Sequence, residues 1–124
     1  MSDKDIEREI QDKGLTAPRV TPQHIQSLID GEYYFTAADG VQQSMHMQDE
    51  LTRLVGPHRE IEFLTFCVLV LKNGFTVTGE SACASTENFD AEIGRKIARE
   101  NAVSKIWMLE GYLLKQRLSE VNNG

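Results

Sequence analysis

At 124 residues, with 40 % apolar and 26 % charged side chains, the chain is long enough for one domain with a modest core, and its composition is neither fibrous nor disordered. Its net charge of −6 works against whole-molecule steering onto nucleic acid. The longest strongly apolar run, Phe66 to Leu71, is strand-sized, and the charged opening MSDKDIEREIQDKG is unlike a signal peptide, so no membrane span and a cytoplasmic location are expected.

Residues 1–20 are read as a flexible N-terminal arm or frayed helix, because Ile6 and Ile10 have helical spacing but Gly14 and Pro18 close the segment. A single domain is expected over 21–124. It opens at Thr21-Pro22, where Thr can cap and Pro at the first helical position loses no useful N–H. Ile25, Leu28 and Ile29 then share a face, and Gly31 is the expected stop. EYYF (32–35) reads as an extended or loop segment that packs its aromatics on the main unit. MHMQDELTRLV is read as a helix presenting Met47, Leu51, Leu54 and Val55, ended by Gly56-Pro57. His46 and His58 are isolated, and no metal site is expected.

IEFLTFCVLVL-KN-GFTVTGESA is a β-hairpin pattern. Asn73-Gly74 is a preferred two-residue turn, since both positions accept positive φ. That turn pairs Val70 with Val77, Val68 with Gly79 and Phe66 with Ser81, and puts Leu64, Phe66, Val68, Val70, Phe75 and Val77 on the core face. Cys67 then lies opposite Glu80, not Cys83, and both thiols read as small apolar residues instead of a disulfide.

STENFD leads into a helix of about 28 residues, roughly 42 Å long, with Asn88 or Asp90 as N-cap. Ala98, Ala102, Ile106, Leu109 and Leu113 form one face, and Ile93, Ile97, Val103, Trp107, Leu114 and Leu118 the opposite one. A helix apolar on two sides needs two partners, and a hairpin covers only one. The expected fold is therefore α+β: an N-terminal helix, an antiparallel hairpin and one long C-terminal helix that packs in a homo-oligomer interface through Ile97, Val103, Trp107, Leu114 and Leu118. The alternative is a monomer whose N-terminal helix covers the second face.

No nucleophile–base pair, P-loop or dinucleotide turn is present, and an enzyme is the least supported class. No cofactor is implied. Glu80, Glu87, Asp90 and Glu92 bracket the strand-to-helix joint, where acids ordinarily complement the helix dipole. Arg95, Lys96 and Arg99 lie in the first turns of the long helix. With Asn88 and Phe89 they form the candidate ligand-binding set, cations beside free helix N–H groups suiting an anion or phosphate. The competing reading is a solvated, salt-bridged face with Glu92 paired to Lys96 or Arg95. Gly94 and Gly111 each cost the helix about 1 kcal/mol relative to Ala, which suggests close approach of another backbone, a ring or a ligand, with simple tolerance as the equal alternative for either one alone.

Three stretches, LTFCVLVLKNGFTVTGESACAS, ENFDAEIGRKIARENAVSKIW and LEGYLLKQRL, with TPQHIQSLIDGEYYFTAADGV ahead of them, resemble one family of small tailed-phage and prophage proteins. It is typified by the gene-49 product of phage N-four and the gene-66 product of phage Sf-six. The resemblance covers about residues 20 to 119, with its core at 61–119. The hairpin followed by a long helix is also similar to phage anti-defence sponges that inhibit Thoeris. This implies a non-enzymatic homo-oligomer that binds a cyclic ADP-ribose isomer or a cyclic oligonucleotide in the cytoplasm of an infected or lysogenic bacterium. The resemblance assigns no ligand residue by position; Asn88, Phe89, Arg95, Lys96 and Arg99 are chosen from chemistry, with Phe89 or Trp107 as stacking surfaces. The alternative function is a protein–protein adaptor that uses an exposed patch of Phe63, Leu69 and Leu71.

Overall fold

The computed structural model describes residues 2–15, 17–44 and 58–123. The expected helix over MHMQDELTRLV, with Met47, Leu51, Leu54, Val55 and His46, lies outside these residues. The described order is α1 (Asp3–Asp12), α2 (Pro22–Ser27), β1 (Ile29–Thr36), α3 (Ala37–Gln43), a 3-10 turn (Arg59–Phe63), β2 (Leu64–Leu71), β3 (Thr76–Ala82), a second 3-10 turn (Thr86–Asn88) and α4 (Ala91–Asn123). The fold is α+β, a three-stranded antiparallel sheet in the order β1-β2-β3 with the long α4 across one face.

Local chemistry explains the helix starts. Ser2 and Asp5 form a capping box at α1, and Thr36 and Asp39 form another at α3. Thr21 caps α2, its Oγ1 accepting from the His24 N–H at 3.1 Å, with Pro22 following. Asp90, one of the two N-caps expected, accepts from the Ile93 N–H at 3.1 Å and starts α4. α2 ends earlier than Gly31: Leu28 is its C-cap, and β1 begins one residue later. Gly31 marks an irregularity in β1, and EYYF is a full sheet strand, not a loop.

The hairpin exists, but its register differs from the expected one. The loop holds three residues, Lys72-Asn73-Gly74; the Leu71 N–H bonds the Phe75 carbonyl and the Gly74 N–H the Leu71 carbonyl, each at 2.8 Å. Among the described residues no non-glycine has positive φ, so Asn73 does not enter the type I′ turn, and Gly74 alone takes the left-handed position at φ 89°. The Asn73 side-chain oxygen instead accepts from the Phe75 N–H at 2.9 Å. The extra loop residue shifts the pairing by one: Leu69 faces Val77, Cys67 faces Gly79 and Phe66 faces Glu80. The buried positions of β2 are Thr65, Cys67, Leu69 and Leu71, so the core face of β2 is the one opposite to that expected. Leu64, Phe66, Val68 and Val70 lie half-buried on the other face, where the Phe35 ring stacks on Phe66 at 5.5 Å.

The core unites Ile25, Cys67, Leu69, Leu71 and Val77 with Ala98, Ala102, Val103 and Ile106 of α4. α4 lies so close to β3 that a Cβ on Gly79 would collide with the Ala98 carbonyl and the Ala102 amide. At 33 residues α4 is about 50 Å long, and its C-terminal part exposes Met108, Tyr112 and Val121. Of the five expected interface residues, Val103 is buried within the chain and Trp107 packs half-buried against the same core. α2 covers that flank because Ile25 inserts completely; Ile97, Leu114 and Leu118 remain at least partly exposed. The patch expected for an adaptor is also corrected, since Leu69 and Leu71 are buried by the register shift.

Candidate functional site

The five expected ligand residues do not converge on one site. Asn88 is exposed at the end of the second 3-10 turn. The Phe89 ring meets Phe63 edge-on at 5.1 Å and serves packing at the helix start. Arg95 enters a small hollow of about 110 Å³ with Tyr34, Asp39 and Phe89, too small for a nucleotide, whose sites generally exceed about 300 Å³. Lys96 reaches back to Glu92 at 3.5 Å, both widely exposed. This is the i, i+4 salt-bridged face given as the competing reading. Arg99 goes elsewhere: its Nε donates to Glu32 at 2.5 Å and its Nη2 to Gln26 at 2.8 Å. The reason is β1. Tertiary structure brings Glu32 onto the helix-facing side of the sheet, opposite Leu69, where it captures Arg99.

Arg99 instead lines a larger cleft of about 750 Å³, bounded by the start of α1, by α2 and by α4. The floor is Val103 and the half-buried Trp107; Gln23, Gln26 and Ser104 supply hydrogen-bonding groups, and Ser2–Lys4 form the outer rim. Arg99, Val103 and Trp107 are spaced i, i+4, i+8, which places them on one helix face and was legible in the sequence. The contribution of α2 was not, because nothing in PQHIQS marks Gln23 and Gln26 as lining residues. His24 Nε2 lies 2.6 Å from Glu110 and ties α2 to α4. Arg99 is charge-compensated by Glu32, and Glu100 and Asp3 adjoin the same cleft. Lys4 lines it as well, so the cleft carries charges of both signs.

A second, more open groove of about 620 Å³ runs along β3, between Phe75 and Val77 on one side and Met108, Leu109 and Tyr112 on the other. It is almost wholly apolar apart from Lys105 and the threonines of β3.

Among the described residues two ionisable groups are displaced from ordinary values. Burial pushes the Tyr34 phenol up to about 12, reinforced by Cys67 and Glu32 beside it. Burial likewise raises the Cys67 thiol. A side-chain hydrogen bond joins Tyr34 and Cys67, and both stay protonated at neutral pH as packing elements. Cys83 is also a free thiol, its Sγ donating to the Ser85 carbonyl at 2.9 Å. Asp90 and Glu92, two of the four carboxylates at the joint, cap α4 and pair with Lys96 respectively. Among the described residues no group of three His, Cys, Asp or Glu side chains could hold a metal ion, and no helix is long and apolar enough to cross a membrane.

The model of the phage protein (N4 Gp49/phage Sf6 gene 66) family matches residues 20–118. The chain belongs to this family. No curated protein and no solved structure matches it. The matched segment holds the whole sheet, α2 and most of α4, and hence two walls of the large cleft. α1 and Arg19 precede the family segment.

Proposed function

We propose that this phage-family protein is a non-enzymatic anti-defence sponge. In this reading it binds and sequesters a nucleotide-derived immune signal, a cyclic ADP-ribose isomer or cyclic oligonucleotide, in the cytoplasm of the infected or lysogenic host. The observation that carries the reading is the Trp107 cleft. Its volume falls within the range of small-molecule sites, and it joins an aromatic face to a fixed guanidinium, two amides and a hydroxyl. Trp107 would stack on a base, Gln23, Gln26 and Ser104 would read its edge, and Arg99, held in place by Glu32, would meet a phosphate or ribose oxygen. The site moves from the helix start to the next turns of the same helix; Arg99 alone of the original five takes part. Homo-oligomerisation belongs to the same proposal, supported by the apolar residues Ile97, Met108, Tyr112, Leu113 and Val121 that α4 leaves exposed.

The test is thermal melting with cyclic ADP-ribose isomers and cyclic di- and trinucleotides, followed by analysis of the released ligand. A ligand at 100 times its Kd adds about 2.7 kcal/mol, a rise on the order of 10 °C for a domain of this size. The expected result is a shift with the ligand recovered intact, abolished by Trp107→Ala. No shift across the panel refutes the reading, and an altered ligand refutes its non-enzymatic part.

The adaptor reading keeps one specific observation in its favour, the apolar groove beside β3. It predicts a macromolecular partner displaced by Met108→Asp while Trp107→Ala binds normally.

A further inference from the structure

α1 stands apart from the rest of the molecule in how it is held. A helix of 10 residues does not persist by itself in water, so contacts with the body must keep it folded. Those contacts are not mainly hydrophobic. Ile6 is 43 % exposed and Ile10 only half-buried, while the one fully buried side chain of α1 is a carboxylate, Glu7, with 4 % exposure. A buried carboxylate is unfavourable unless paired. The pair is Arg19: its Nη1 contacts both Glu7 oxygens, the longer contact being 2.7 Å, and the Gln11 amide donates to Glu7 at 3.4 Å. Arg19 is itself fixed, because its neighbour Val20 packs against the core and Thr21 caps α2.

The first turn of this weakly packed helix forms the outer rim of the cleft. Ser2, Asp3 and Lys4 line it together with Val103, Ser104 and Trp107, and the other walls, from α2 and α4, are integral to the domain. The family segment begins at residue 20, so both the cover and its latch lie outside the part matched by the family model. We propose that α1 is a detachable cover of the Trp107 cleft, latched by the Glu7–Arg19 ion pair. Opening the latch releases α1 as a unit and exposes the indole, and closure sets the entry and residence of whatever occupies the cleft. The purpose of the cover rests on the cleft reading above. Its test uses the ligand-free chain, so failure of the nucleotide panel and failure of the latch are separate results.

Trp107 is the single tryptophan, which makes its fluorescence specific to the cleft. Charge reversal at either position, Glu7→Arg or Arg19→Glu, places like charges at the latch. Each should raise the acrylamide quenching constant of Trp107 about twofold and remove hydrogen-exchange protection from residues 6–12, leaving protection of 98–106 in place. The double reversal restores the pair with opposite polarity and should return both readouts toward those of the unmutated chain. In the unmutated chain, α1 amides should exchange together with at least roughly 100-fold less protection than Ala98–Ile106. The proposal is overturned if α1 is as protected as α4, if the single reversals leave quenching unchanged, or if the double reversal resembles the singles. Should a single reversal unfold the whole domain, protection over 98–106 is lost as well, and the exchange pattern of the unmutated chain decides.

Discussion

Gly79→Ala should be among the most destabilising single-methyl changes available in this protein. A Cβ at position 79 points from β3 directly at the backbone of α4. It would fall inside van der Waals contact of the Ala98 carbonyl oxygen and the Ala102 amide nitrogen, and 2.9 Å from the Asn101 carbonyl carbon. None of these atoms belongs to a flexible side chain that could swing away, so helix and strand must separate by about 1 Å to restore contact distance. That separation acts on the whole seam between Leu69, Val77, Ala98, Ala102 and Ile106. Overpacking of a rigid core costs about 1–3 kcal/mol, and the loss of contact along the seam carries the total to roughly 3–5 kcal/mol. Against a total stability of about 5–15 kcal/mol this is a large share. Gly111→Ala is the internal control: nothing lies within 4 Å of its Cβ position in the middle of α4. There the same chemical change should add up to about 1 kcal/mol through helix propensity. Urea unfolding followed by circular dichroism at 222 nm measures both. A cost below about 1 kcal/mol for Gly79→Ala would refute the close helix–strand contact. A loss at Gly111 would show that its surface is occupied by another backbone.

Ellman's reagent at pH 8 should modify Cys83 in the native protein, while Cys67, fully buried against α4, reacts only when urea unfolds the chain. Two fast thiols in the folded state would contradict the sheet register. The raised Tyr34 phenol makes the fold sensitive to alkali. The folded state favours the neutral phenol, so its contribution is complete below pH 10 and is lost as the pH rises to about 12. Its size is about 1–2 kcal/mol once partial exposure is allowed for. Spectrophotometric titration at 295 nm should show a late-ionising tyrosine that disappears in Tyr34→Phe; three phenols titrating together near pH 10 would disprove the assignment.

Local signals in the sequence carried far where one short segment decided the outcome. Thr21-Pro22 started α2, Asp90 capped α4, and the hairpin turned at Asn73-Gly74 though with one more loop residue, because capping and turn chemistry act within four residues. The face of the hairpin was not local in this sense. LTFCVLVL is apolar at both parities, so period two could not choose between Phe66-Val68-Val70 and Cys67-Leu69-Leu71. One additional loop residue, visible only when Gly74 and not Asn73 proves to be the left-handed position, selected the second set. The strand nature of EYYF was half legible, since an edge strand shows itself only through its neighbour. At the candidate site, Arg99 and Trp107 could be read from helical spacing. Their partners Glu32, Gln26 and Gln23 lie more than 60 residues away in sequence, and no pattern along the chain joined them.

The sequence by itself determined the α+β class, the starts of α2 and α4 set by caps, the presence of a hairpin and a long apolar-sided helix, and the family, because each is written in contiguous residues. Only the tertiary structure decided which sheet face α4 covers, that α2 shields Val103 and Trp107, and that the arginines of α4 diverge into different surroundings. Those choices depend on Gly79 admitting a helix backbone and on Glu32 capturing Arg99 across the sheet, interactions between segments that share no local signal.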